Sequence, residues 1–203
     1  MSEAERAGKL EVLYGRIRRD SEYRNGKMAD IFVPGWGSLK DGAIVLVGEA
    51  PGRNEEKLGV PFIGAAGRNL DSLLKVSGLS REDLFITNVI KYRPVTPEGR
   101  NRSPSVSEIG KALPYLLEEL EILSPSLAVC LGRCPARTLI GGHPIMKNAN
   151  GTICRNHGMD ILVTYHPSPF NFMIAKKREA MEAAFKILGD YLSKPRRDPV
   201  LMD

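Results

Sequence analysis

The chain has 203 residues, 42% of them apolar and 26% charged, with a formal charge of +5. That length suits one domain with a sizeable core, and the composition excludes a collagen, a disordered tail protein and a small disulfide-stapled scaffold. No apolar run reaches the roughly 20 residues of a membrane span. The opening MSEAERAGKL has no signal-peptide core, and three cysteines (Cys130, Cys134, Cys154) at no metal-ligand spacing fit a reducing cytosol. The expectation is a cytoplasmic protein without a membrane segment, mildly basic and compatible with a polyanionic partner.

Leu10, Val12, Leu13 and Ile17 recur near the helical period and predict a helix over 3–19. The Gly- and Pro-rich stretch 31–42 leads into AIVLVG (43–48), the unbroken apolar run of a buried parallel strand. GEAPG turns the chain at once. Leu70, Leu73 and Leu74 then mark a helix that Gly78 is placed to cap. LFITNVI (84–90) reads as a second buried strand, and KYRPVTPEGRNRSP as a loop. Ser105 and Glu108 form a capping-box pattern at the start of a helix reaching about Leu123, in which Pro114 predicts a kink. LAVCLG (127–132) and ILVTYHP (161–167) supply two further strands, with a helix around 133–140 between them. A helix over 174–192 carries Met181, Phe185 and Leu188 on one face, and 195–203 reads as a flexible tail.

Short apolar strands alternating with helices predict a single three-layer αβα domain around a four-stranded parallel sheet. In such sheets the functional crevice lies beyond the carboxyl ends of the strands. The polar residues closing each strand are therefore the candidate site: Gly48–Gly52, Asn88–Arg93, Gly132–Arg133 and His166–Phe172. Glu49, set among backbone-permissive residues, can hold a water or stabilise a developing cation, or it can simply pair with an arginine. Asn88 is a buried amide that reads a base edge or ties down a loop. In HPSPFNF two prolines fix the backbone after His166, Ser168 and Asn171 offer neutral groups for phosphate oxygens, and Phe170 and Phe172 stand before Lys176 and Lys177. Apolar wedges beside cations are how proteins enter a base stack, although either phenylalanine could equally belong to the core. Arg93, Arg100 and Arg102 read first as a solvated charge run.

In combination, GEAPGRNEEKLGVPFIGAAGRNLD, LFITNVIKYRP, NRSP, LAVCLG and HPSPFNF resemble the uracil-DNA glycosylase superfamily, closest to its family 4. The resemblance spans about Leu10 to Phe172. It implies a monofunctional DNA repair glycosylase that flips uracil from DNA and hydrolyses its N-glycosidic bond, starting base excision repair. By that resemblance Phe62 stacks on the flipped base, Asn88 pairs with its N3–H and O4 edge, and His166 donates to O2 as the base departs. Glu49 and the Ala50 carbonyl position the attacking water. Gly48 and Gly52 belong to the base pocket, and with glycine at 52 the rejection of thymine passes to Glu55 or its neighbours. Ser168, Phe170, Asn171, Lys176 and Arg102 are expected on the DNA side.

Family 4 carries a [4Fe–4S] cluster on four cysteines. The matching positions here are Asp20, Tyr23, Tyr92 and Ala112, which lack the soft sulfur donors that iron needs. The expectation is therefore no cluster and no other metal, with Tyr23 and Tyr92 packing in its place, and a monomer acting on DNA that contains uracil or another deaminated base. A glycosylase for hypoxanthine or xanthine, and a catalytically silent DNA-binding relative, are the alternatives.

Overall fold

The computed structural model describes residues 1–24 and 27–193, so the tail expected over 195–203 lies outside the described residues. In chain order the elements are α1 (Glu3–Arg19), α2 (Ser21–Arg24), β1 (Trp36–Gly37), β2 (Ile44–Gly48), α3 (Arg53–Leu58), α4 (Ala65–Val76) and β3 (Leu84–Asn88). There follow α5 (Val106–Leu123), β4 (Leu127–Leu131), α6 (Arg133–Ile140), α7 (Met146–Ala149), β5 (Ile153–Asn156), β6 (Met159–Thr164), α8 (Pro169–Met173) and α9 (Ala175–Ser193). The boundaries have local causes. Ser105 and Glu108 close the capping box that starts α5. Gly78, at φ +73°, ends α4 with Leu79 N–H donating to the Leu74 carbonyl at 3.0 Å. Pro114 sits inside α5 without dividing it.

The four expected strands are parallel and adjacent in the order β3-β2-β4-β6. The sheet nevertheless has six strands, because β1 and β5 add antiparallel edges to β3 and β6. Neither edge has a sequence signal of its own: β1 is two residues in a Gly-rich turn, and β5 reads Ile-Cys-Arg-Asn with little apolar content. The strand alternation sorts the core into two faces. Val45, Val47, Ala128, Cys130, Ile161 and Val163 meet Leu13, Ile17, Leu116, Leu120 and Leu139 from α1, α5 and α6. Leu46, Ile86, Val129 and Leu162 meet Leu70, Leu73, Leu74, Met181, Phe185 and Leu188 from α4 and α9. Three layers result.

The register sets up the site. Gly48 lies opposite Asn88 at the last rung between β2 and β3, so Glu49 and Asn88 leave the sheet at the same rim. Gly132 and His166 follow the ends of β4 and β6 at that rim.

Candidate active site

A cavity of about 450 Å³ opens at this rim, lined by Glu49, Ala50, Pro51, Gly52, Glu55, Phe62, Ala66, Asn88, Asn101, Arg102, Ser103 and His166. The aromatic plate, the amide and the imidazole singled out in the sequence thus face one space, and it is large enough for a pyrimidine. Small-molecule pockets typically occupy about 300–1,000 Å³. Gly48 makes their closeness possible. A Cβ built there would stand 2.3 Å from Asn88 Oδ1 and 2.5 Å from the Phe62 ring.

Phe62 is held in an unusual backbone conformation, φ +55°, which is costly for a side chain of this size. Its carbonyl accepts from Arg81 Nη2 at 2.6 Å, while Arg81 Nε donates to Asp71 Oδ1 at 2.6 Å. The strain is maintained by a salt-bridged clasp, and the ring is presented 5.8 Å from that of His166, tilted by 35°. His166 rests on Gly132, where a Cβ would come within 3.0 Å of its own. Asn69 Nδ2 donates to the Pro167 carbonyl at 2.9 Å and Asn171 Nδ2 to the His166 carbonyl at 3.0 Å, fixing the loop on both sides. Asn88 is 3% exposed, and its Oδ1 has no hydrogen-bond partner within the protein.

Burial pushes the His166 imidazole down to about 4, with nearby Glu55 partly opposing, so the ring is neutral at physiological pH. Burial raises the Glu49 carboxyl above its ordinary value, offset in part by the Ser103 hydroxyl. Glu55 occupies the space beside Gly52. Its Oε1 accepts from Gly64 N–H at 3.0 Å, and its Oε2 lies 2.7 Å from where a Cβ on Gly52 would sit.

The residues expected on the DNA side separate into two groups. Ser168 caps α8, accepting from Asn171 N–H at 3.3 Å, and Asn171 Oδ1 accepts from Lys177 Nζ at 2.8 Å. Phe170 is 72% exposed with Lys177 Nζ 5.5 Å from its ring centre, and Lys176 is exposed, whereas Phe172 packs against the core. Arg102 lines the cavity, and its donors are engaged within the protein. Its Nε donates to the Val95 carbonyl, Nη1 to Glu108 and the Ser103 carbonyl, and Nη2 to Glu108 and the Lys27 carbonyl, which uses all five donors. Arg93 is likewise tied down, at 2.7 Å from Glu56, so only Arg100 of the three arginines fits the solvated reading. Asn101 and Ser103 also line the cavity. The sequence marks them only as two short polar side chains either side of Arg102 in NRSP.

None of the four positions that the resemblance matches to cluster ligands (Asp20, Tyr23, Tyr92 and Ala112) carries sulfur. Tyr23 N–H donates to Asp20 Oδ1 at 3.0 Å, and Tyr115 Oη–H to Asp20 Oδ2 at 2.7 Å. The Tyr23 and Tyr92 rings meet edge-on at 6.0 Å, and Ala112 lies in the same core cluster. A carboxylate, two phenols and a methyl group offer no soft sulfur donor and do not fit an iron–sulfur cluster. The cysteines lie on β4, α6 and β5, all unpaired. Among the described residues no group of three or more His, Cys, Asp or Glu is arranged to hold a metal ion.

The architecture and pocket define an α/β protein with a base-sized, mixed polar and aromatic cavity at the carboxyl rim of its parallel strands. Residues 34–189 match the Uracil DNA glycosylase superfamily, to which this chain belongs. It is 38% identical over 183 residues to the Type-4 uracil-DNA glycosylase of Archaeoglobus fulgidus, covering 85% of this chain and 86% of that protein. To the Type-4 uracil-DNA glycosylase of Saccharolobus solfataricus it is 34% identical over 205 residues, 96% and 90% of the two chains. To that of Thermotoga maritima it is 40% identical over 138 residues, 67% and 69%.

Proposed function

We propose that this chain excises uracil from DNA by hydrolysing the bond between C1′ and N1, without a lyase step. The observation that carries the reading is the buried, unpartnered Oδ1 of Asn88 facing a cavity shared with Phe62 and His166. Uracil presents an N3–H donor to such an acceptor. Cytosine presents an acceptor there and leaves both groups unpaired, so a fixed amide discriminates between them.

The chemistry follows from the groups at hand. Phe62 supports the extruded ring. As the glycosidic bond breaks, its electron pair passes into the base and charge gathers on O2, where the neutral His166 imidazole donates one N–H. Glu49, as a carboxylate, holds a water with the Ala50 carbonyl on the sugar side and accepts its proton as oxygen bonds to C1′. Glu55 fills the volume that a side chain at Gly52 would take and meets the 5-methyl group of thymine. Phe170 wedges the helix while Lys176 contacts phosphate.

No cluster enters this reading. A colourless preparation with no visible iron–sulfur absorbance and undiminished activity is the expected result, and a brown protein bleached by reduction or chelation would overturn it. No helix among the described residues is long and apolar enough to cross a membrane, and a cytoplasmic monomer is proposed.

Release of free uracil from a labelled single-stranded or G·U oligonucleotide tests the assignment. Release only of hypoxanthine or xanthine would transfer it to those bases. Binding of DNA without release of any base would leave a silent relative.

A further inference from the structure

Behind the pocket lies a charged group that the chemistry above does not use. Lys91 and Glu119 form an ion pair at 2.6 Å with side-chain exposures of 1% and 0%. Two charges so far from water are costly unless every donor and acceptor is matched. Here they are. Lys91 Nζ donates to Glu119 Oε2, to Thr87 Oγ1 and, at 2.9 Å, to the backbone carbonyl of Asn88. Glu119 also accepts from Thr87 Oγ1 at 3.1 Å and from Tyr14 Oη at 2.5 Å, and Tyr14 Oη accepts from Gly35 N–H at 3.1 Å. Lys91 N–H itself donates to Tyr23 Oη at 2.9 Å.

The location gives the network its meaning. Asn88 is the last residue of β3, and beyond it the chain must turn away while the amide stays aimed at the cavity. Val89 N–H donates to the Gly48 carbonyl at 2.9 Å and Ile90 N–H to the Glu49 carbonyl at 3.0 Å, stitching the turn to β2. The Lys91 ammonium folds back over this turn and holds the Asn88 carbonyl from the other side. Glu119, anchored in α5, fixes the ammonium. The turn that carries the Asn88 amide is therefore braced by one buried cation.

We propose that Lys91 and Glu119 are positioning residues for excision, acting through Asn88 by locking the turn that follows it; this rests on the excision reading above. A merely structural pair would support the fold without any particular tie to Asn88.

The test is a double-mutant cycle read by single-turnover uracil release from a single-stranded oligonucleotide, with wild type alongside. Replacing a buried ion pair by apolar side chains is often tolerated by the fold, so K91M/E119L is the principal variant. It should melt near wild type and bind the oligonucleotide with unchanged affinity, yet release uracil about 100-fold more slowly, the order of loss that a small misplacement brings. In an Asn88→Ala background the same double substitution should cost little more, because the group it positions has gone. In a Phe170→Ala background it should cost its full amount. Thr87→Val, which keeps the ion pair and the branched side-chain shape, serves as a second entrance to the cycle if K91M/E119L folds poorly, with a smaller loss showing the same dependence on Asn88. Losses that multiply fully with Asn88→Ala in an active protein would overturn the positioning role alone. A wild type that releases no uracil would overturn the excision reading and this role with it.

Discussion

The pocket rim and the arginine-rich loop beside it treat their polar groups in opposite ways. In the loop, Arg102 directs all five donors to Glu108 and three carbonyls, and Arg93 reaches Glu56, Asn101 and Gly99. At the rim, Asn88 keeps a buried oxygen without a partner, and a strained Phe62 is held open beside it. A buried polar atom left unmatched costs about 1–3 kcal/mol, a cost that a bound base would offset in the proposed reading. In the proposed mechanism matched groups hold the pocket's shape, and unmatched ones meet the substrate.

The largest effects should come from the unmatched side. Asn88→Ala and His166→Ala should each slow uracil release by about 100- to 1,000-fold, the usual cost of one preorganised donor or acceptor, with oligonucleotide affinity nearly unchanged in a filter-binding assay. Equal losses in binding and release would remove the distinction between the two regions. Gly48→Ala should come next. Its Cβ would collide with both Asn88 Oδ1 and the Phe62 ring, and overpacking of this kind costs about 1–3 kcal/mol. Release should fall by at least tenfold alongside a lower melting temperature.

The contrast also explains what was legible in the sequence. Strands of unbroken apolar residues announced the parallel sheet, and a parallel sheet fixes the rim where its polar ends gather, so Glu49, Asn88 and His166 could be placed before any coordinates. The edge strands could not, since a two-residue ladder and Ile-Cys-Arg-Asn carry no period. Arginines defeat the reading for another reason: Arg102 and Lys176 look alike in a basic stretch, and only the position of Glu108 decides which of them is already paired. Lys91 was equally opaque, because its partner stands 28 residues away on α5.

Protonation gives an intermediate test. The proposed mechanism uses Glu49 as a carboxylate, and burial raises its pKa above the ordinary value. Activity should therefore fall on acidification sooner than an exposed glutamate would dictate, and Glu49→Gln should abolish that limb together with most of the rate. No step should occur near pH 6.5, since His166 remains neutral down to about 4. For stability the sign is equally definite. Between those two values the unfolded chain binds the proton that the folded imidazole refuses, so melting temperature should fall as pH drops from 6.5 toward 4. His166→Asn should make that decline shallower, which thermal melts at fixed ionic strength will show.

The smallest effects on turnover should fall on the two cations that the sequence does not tell apart. Arg102→Ala strands Glu108, which is 2% exposed. Losing charge-assisted hydrogen bonds should cost about 1.5–3 kcal/mol of stability while leaving the salt dependence of DNA binding as it was. Lys176→Ala should do the reverse. It removes an exposed charge at the start of α9, so the melting temperature should hold while the slope of log affinity against log salt becomes shallower by about 0.7–0.9 for one lost phosphate contact. Titrations of the same uracil oligonucleotide over a series of salt concentrations separate the two outcomes. A salt slope altered by Arg102→Ala rather than by Lys176→Ala would mean that the Arg102–Glu108 pair opens on DNA and that its matched donors are available after all.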